Sequence, residues 1–571
     1  MTTVFSQTQE KKPTKKYRSY DRTVQAKILD QSTRCTQHEL AERYDIPRTT
    51  LQHWIERKET LKRKGDPKIV EFFESSSGQA WLHAMTIAAF MVFHQNGNSG
   101  IPALHDFFEM AGVNTFVGAS APSLQKVSKT IDKKIQDFEN EEVERLAGNM
   151  PHKNITGAPD ENFIMDEMTL ILMEPVSGYI LAEQVEKKRD AETWHIVVQI
   201  GVKRLNVTIQ QLVGDEASGL IKLAKSSLKV LKGSDLFHVQ QEITKGLTSH
   251  LARTLEQVKK QQEDLQKEKV EMFAELKDHL EQVKDVDELS KKGTKAGKRL
   301  IEIEKDEKTN KKAIEVAEKQ YKTAQEARRK ITDDYHPFNL DTGDKQAPEI
   351  VKKKLEDSYA TLETIAKEAG CTDKQKKKLE KSKGSLGSMI AVLAFFFSFL
   401  VLMVKSMGLD ELQGQLFEQL VSIQYFKLCL QRAKKKEHKE RIKTTLKKLE
   451  AMINNNPLWR EISEGVQTEW WRRALECAQV FQRSSSCVEG RNGQLSLKFH
   501  AFRRINSNSL KILTVLHNFF IKRADGTTAA ERFFGQKPKD LFTWLLDKVE
   551  LPRPRKKHQR RTKNELEKQV A

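Results

Sequence analysis

The sequence predicts a multidomain protein of the α/β plus α class: a small N-terminal helical unit, then a mixed-sheet core interrupted by a long helical, coiled-coil insertion. Three observations predict it. Apolar runs rich in β-branched residues are confined to a window near residues 158–249. From Leu251 the apolar period becomes seven, with Lys and Glu filling the other positions. The charged helical pattern then closes at the turn Asn454-Asn455-Asn456-Pro457, and the chain changes character before RSSSCVEGRNGQLS.

In chain order, residues 1–16 are a basic, polar tail with too little apolar content to fold. Residues 17–60 read as three short helices. Val24, Ile28 and Leu29 mark the first, Leu40, Ala41 and Tyr44 the second, and Leu51 and Trp54 the third. Pro47 suits the first turn of the third helix, where its missing N–H is not needed. That helix offers Arg48, Thr49, Gln52, His53 and Arg57 outward, donors and acceptors suited to a DNA major groove. This segment resembles the helix-turn-helix at the front of many transposases and repressors. An ordinary three-helix bundle with a basic face is the bland alternative. Residues 61–150 continue helical and could hold a second DNA-binding module or a plain connector.

Within 158–249 the strands are NFIMDEMTLILM, SGYILAEQV and LNVTIQQLVGD, with DAETWHIVVQIGVKRL as a helix before the last. SGLIKLAKSSLKVL reads as a further helix and SDLFHVQQEI as a short strand. These elements approach the order of an RNase H-like core, three strands, a helix, a strand, a helix and a strand, an order shared by much else in α/β. Residues 250–460 form the insertion, with Leu251, Leu255, Val258, Leu265, Met272, Leu276 and Val283 near the a and d positions of an antiparallel hairpin. Residues 461–550 are the second part of the core, and 551–571 a basic tail.

Lys and Arg number 98 against 79 Asp and Glu, a formal charge of +19, which favours a polyanionic partner such as double-stranded DNA. The five cysteines are scattered without a C-x-x-C pair, arguing for a reducing compartment and against a thiolate zinc site. The N-terminus has no apolar core of a secretory signal, and the expected location is cytoplasmic, on the bacterial nucleoid. Met389–Val404 is continuously apolar, but sixteen residues of helix reach only about 24 Å against the ~30 Å of a hydrocarbon core, so a buried helix is expected over a membrane span.

Three carboxylates are candidates for metal chemistry. Asp166 ends the apolar run NFIMD and Asp215 ends TIQQLVGD; on neighbouring strands, both would emerge at one sheet edge. Hard oxygen donors there suit Mg²⁺ or Mn²⁺, two ions in all, with phosphoryl oxygens completing the shell. Each aspartate could equally open a turn, and Asp215 could cap a helix. Glu489 is the third candidate, and Ser486-x-x-Glu489 also reads as a capping box. Asn492, one turn on, would face the same way toward phosphate.

Asp166, Asp215 and Glu489 together resemble the DDE triad of bacterial insertion-sequence transposases. Asp235-Leu236-Phe237-His238 is similar to the D-x-F-H of their fifth strand, and SSSCVEGRNGQL to their Ser-Ser-x-x-x-Glu-x-x-Asn helix. The resemblance implies an RNase H-like fold with a helical insertion before the last carboxylate. It implies metal-dependent DNA cleavage and strand transfer at element ends, with Asp235 and His238 as active-site neighbours and a homodimer or larger assembly on DNA. The alternative is a non-catalytic, domesticated DNA-binding protein with a coiled-coil dimerisation arm.

Overall fold

The computed structural model describes residues 20, 22–59, 66–114, 116–164, 167–282, 295–502 and 506–552. The chain divides into two compact units, one of residues 1–148 with 497–571 and the other of residues 149–496. The second core segment expected at 461–550 is therefore split. Its first part stays with the sheet, and its remainder joins the N-terminal helices.

In the first unit, α1 (Arg22–Gln31), α2 (Gln37–Arg43) and α3 (Arg48–Glu56) close around Ile28, Leu29, Leu40, Leu51 and Trp54. Thr36 and Glu39 form a full capping box at the start of α2, fixing where that helix begins. Arg48, Thr49, Gln52 and His53 are exposed on α3, while Val24, expected inward, is exposed too. Arg57 is the C-cap of α3 rather than part of its outward row, and its guanidinium is ion-paired with Glu109. The 28-residue helix Ala121–Gly148 supplies the other core of this unit. Phe138 on that helix meets Phe519 and Trp544 edge-on.

The second unit is built on a mixed five-stranded sheet, with β1 Lys153–Ile164, β2 Glu167–Glu174, β3 Tyr179–Glu186, β4 Val207–Gly214 and β5 Leu231–Ser234. The spatial order is β3-β2-β1-β4-β5. β1, β2 and β3 form an antiparallel meander, and β4 and β5 run parallel to β1. Three sequence readings are corrected. NFIMDEMTLILM is a hairpin, since Ile164 pairs with Glu167. The sheet begins at Lys153, upstream of the expected 158, because KNITGAPD is strand. SDLFHVQQEI is a helix, Leu236–Ile243, because the Asp235 carboxylate accepts from the Phe237 N–H at 2.7 Å and caps it.

The insertion is helical in its described residues apart from short connections and a loop at 335–347, which is closed by an antiparallel bridge between Phe338 and Lys345. Ser249–Gln282 and Lys295–Asp334 lie antiparallel, as the pairs Lys259–Glu318, Lys269–Glu307 and Arg299–Glu268 require. Their seam is only partly apolar. Leu255, Val258, Leu265 and Met272 are half-buried, and Asn310 donates across to Val258 O and to Gln262 Oε1. The side chains of Leu276 and Val283 lie outside the described residues.

The apolar stretch becomes the helix Leu386–Ser406, long and apolar enough to cross a membrane by length and composition alone. In the fold it buries Met389, Val392, Leu393, Phe396, Phe397 and Leu400 in one core with the surrounding insertion helices. It also closes onto β5. Ser388 Oγ accepts from Ser234 N–H and donates to Lys232 O, and Gly233 leaves no space for a Cβ beside Val392. Phe396, fully buried, meets Phe338, Phe397 and Phe481 edge-on. Phe396→Ala should therefore cost about 3–5 kcal/mol, read as a lowered urea midpoint. A shift under about 1 kcal/mol would show that this helix is not core.

Candidate functional site

β1 and β4 are paired only as far as Gly157↔Leu212 and then part. Pro159, with no N–H to give, falls just past the last β1–β4 pair. Continuing the register sets Asp160 level with Asp215, where the two strands splay. Asp215 follows β4 and its Oδ1 accepts from Ala217 N–H at 3.1 Å. It thus opens a turn, and Ala217 rather than Asp215 holds the N-cap place of the next helix.

Asp166, the sequence candidate, lies outside the described residues. β1 runs four residues past Asp160 to Ile164, about 13 Å at strand rise, before the hairpin turns. Asp160 is the carboxylate that sequence reasoning missed. Its neighbours are the other two candidates. Burial first, then the negative charges of Glu489 and Asp215, push the Asp160 carboxyl up to about 6, against the hydrogen bond from Glu161 N–H and the pull of His238. Adjacent Glu161 is otherwise engaged, with Arg189 in an ion pair and with the Trp194 indole N–H at 3.4 Å.

Glu489 stands in the first turn of helix Ser486–Phe502. Ser486 opens that helix rather than preceding it, so it does not hold the N-cap place that the expected Ser486–Glu489 capping box requires. Ser485 takes the cap place, and its hydroxyl donates to Asp235 Oδ2. Asp235 is buried, holding both helix starts together. On the helix that Asp235 caps, His238 Nε2 lies 3.8 Å from Glu489 Oε1. Asn492 does not stand free for phosphate, because its Nδ2 donates to Asp160 Oδ2 at 2.8 Å. Its Oδ1 is buried without a partner.

Two further contacts pin this helix to the sheet. Arg491 makes a two-bond fork to Glu183 in β3, Nε to Oε1 at 2.8 Å and Nη2 to Oε2 at 2.6 Å, with both side chains almost fully buried. Asn162 Nδ2 reaches Asn492 O at 3.5 Å. Beside the carboxylates, a cavity of about 1120 Å³ opens between the ends of β4 and β5, lined by Asp215, Glu216, Asp235 and His238 and by the basic residues Arg189, Lys222 and Lys381. Beneath it Lys232 is buried, 3.9 Å from Glu216, and donates to the carbonyls of Gly214 and Gly233, both at 2.9 Å.

The donor set fits a divalent cation in kind, since carboxylate oxygens are hard donors and Asp160 feels the negative charges of Glu489 and Asp215. Among the described residues, however, no group of three or more His, Cys, Asp or Glu forms a ready metal cage. Five cysteines are free thiols, and burial pushes Cys477 and Cys487 up to about 12, which removes them as thiolate ligands or nucleophiles at neutral pH.

A family model described as a family of unknown function, DUF6399, matches residues 416–560, a stretch that includes Glu489, Arg491 and Asn492. No curated protein matches the chain.

Removing one partner of the Arg491–Glu183 pair leaves a buried charge without compensation. Arg491→Ala should cost about 3–5 kcal/mol in chemical denaturation. A loss below about 1 kcal/mol would mean that the fork does not hold this helix.

Proposed function

We propose that the protein is a DNA transposase of the DDE, RNase H-like type, with Asp160, Asp215 and Glu489 as its carboxylates. The observation that carries this reading is the approach of three acidic residues from distant segments to one splayed sheet edge, in the strand order β3-β2-β1-β4-β5. Asp160 takes the place that the sequence alone offered to Asp166.

Asp160, Asp215 and Glu489 would hold Mg²⁺ or Mn²⁺, which when bound supplies charge neutralisation at phosphoryl oxygens and an activated oxygen nucleophile. The chain's own residues do the positioning. Asn492 orients Asp160, His238 lies beside Glu489, and Arg491 fixes the helix that bears Glu489. Among the cations lining the cavity, Arg189 and Lys381 are paired with Glu161 and Glu242, which leaves Lys222 to meet a backbone phosphate. The exposed row Arg48, Thr49, Gln52 and His53 reads element ends as the recognition helix of a helix-turn-helix, with Arg57 held back by Glu109. Exposed Val270, Phe273 and Ile301 on the long hairpin suit it to pairing with a second copy on DNA.

A non-catalytic DNA-binding reading has one observation in its favour, the lack of a ready metal cage among the described residues. Nicking assays on end-containing DNA separate the two. Asp160→Asn, Asp215→Asn and Glu489→Gln should each abolish Mg²⁺- or Mn²⁺-dependent cleavage while end binding survives, and Asp166→Asn should still cut. Cleavage by Asp160→Asn, or none by the wild type on DNA carrying its own flanking repeats, would overturn the assignment. Replacing Arg48 and Gln52 together should weaken end binding at least tenfold and flatten its salt dependence, whereas Arg57→Ala should do less. Equal losses for the two variants would place Arg57 on DNA after all.

A further inference from the structure

A second cavity, of about 250 Å³, lies within the insertion and its junction with the sheet, on a different set of elements from the carboxylates. Its wall carries the cations Arg432, Lys434, Lys435 and Arg483, together with His438, whose imidazole burial holds below the usual histidine range; no Asp or Glu lines it. The four cations lack anionic partners. Arg432 Nη2 donates to Gln482 Oε1 at 3.3 Å, and Arg483 Nη1 donates to the carbonyls of Thr332 and Tyr335 at 2.8 and 3.2 Å. Among the described residues neither arginine nor either lysine enters an ion pair; Arg432, Lys434 and Lys435 are exposed at the mouth and Arg483 is half-buried.

His336 supplies the second observation. It lines the same cavity and is 1% exposed. Its Nδ1 is 2.5 Å from Tyr425 Oη, while its buried Nε2 has no partner. Burial holds this imidazole neutral, its pKa well below the usual histidine range. The Tyr425 hydroxyl also bonds Cys429, and the buried Nε2 of the neutral ring is left as a polar atom without a partner in the cavity wall. Leaving such a group unsatisfied is costly, a cost that a partner in the cavity would remove.

We propose that this cavity binds a phosphoryl oxyanion, taken up by Arg432, Lys435 and Arg483 beside the unpartnered His336 Nε2. An anion matches the positive wall, and the guanidiniums of Arg432 and Arg483 present planar forks that fit phosphoryl oxygens. The volume lies below the ~300–1,000 Å³ of pockets that enclose drug-sized ligands, so a small phosphate or the phosphate end of a larger molecule fits. Arg483 gives the site a consequence, because its carbonyl accepts from Leu236 N–H at 2.9 Å, at the start of the His238 helix. Two residues further, Ser485 holds Asp235.

Calorimetric titration of the full chain with inorganic phosphate, at constant ionic strength against chloride, tests this. Saturable one-site binding is expected, at least tenfold weaker in R432Q/K435Q, both exposed positions that should fold normally, and unchanged in the neighbouring control K436Q/K439Q. Repeating the titration with saturating duplex DNA distinguishes the sources. Phosphate binding that persists marks a free phosphate or phosphate ester, and phosphate that is displaced marks a DNA backbone phosphate as occupant. No saturable heat in either condition, or equal affinity in R432Q/K435Q and wild type, overturns the proposal. Binding is read without cleavage, so its failure is separate from failure of the transposase reading.

Discussion

The buried fork between Arg491 and Glu183 is the constraint on which the candidate site depends. Its partners are 308 residues apart in sequence, and the chain between them includes the entire insertion. Two charges taken this far out of water cost several kcal/mol each unless they meet in good geometry, so the helix Ser486–Phe502 has essentially one seat on β3. That seat fixes the rest. One residue on, Asn492 reaches Asp160; two residues back, Glu489 comes within range of His238. The pair's contribution is specificity of docking more than net stability, since an apolar pair could hold a helix there but would not select its rotation.

The second constraint is the way β1 leaves β4. Pairing stops at Gly157 and Leu212, and Pro159 follows where no strand-to-strand donor to β4 is required. The strands part there, and a parted pair of strand ends is where side chains can face a ligand rather than one another. Crowding shows in Asp160, whose carboxyl is pushed to about 6 by burial and by its two acidic neighbours. A site that holds negative charges together against their repulsion stores a demand for positive charge. Lys232, buried below with its pKa lowered by burial and donating to main-chain carbonyls, answers only part of that demand.

Much of this was legible in the sequence, and the failures have physical causes. Heptad spacing announced the hairpin because period seven has no other common meaning. Glu489 was legible because a short serine-rich lead into a helix is a local signal. Asp160 was not, because Pro-Asp-Glu has the composition of a turn, and only the end of pairing to β4 allows it to be strand. Asp166 attracted attention instead because it ends an apolar run, but that run continues beyond the level of Asp215. The segment SDLFHVQQEI misled for a related reason. Its apolar residues suit a strand, and the Asp235 cap that turns it into helix gains its second partner, Ser485, from 250 residues away. Asn492 shows the same limit: its position one helical turn from Glu489 was visible, whereas its bond to Asp160 depends on which strand lies opposite.

The insertion is therefore part of the core's architecture rather than an appendage to it. Ser388 satisfies backbone groups on both sides of Gly233 along β5, the edge of the sheet, and so covers an edge that would otherwise be open to another strand. Lys381, Ser382 and Ser385, from the same helical run, line the cavity beside Asp215. The apolar helix Leu386–Ser406 links these contacts to the Phe338, Phe396 and Phe481 cluster, and two residues after Phe481 the chain reaches Arg483. Arg483 ties the insertion's loop carbonyls to the start of the His238 helix. A packed aromatic cluster yields little, so strain imposed on the insertion at Arg483 passes to the segment between Phe481 and Glu489. The same contiguity explains why the last carboxylate can follow so long an interruption. The insertion leaves the sheet after β5 and returns through residues that β5 and its following helix already hold.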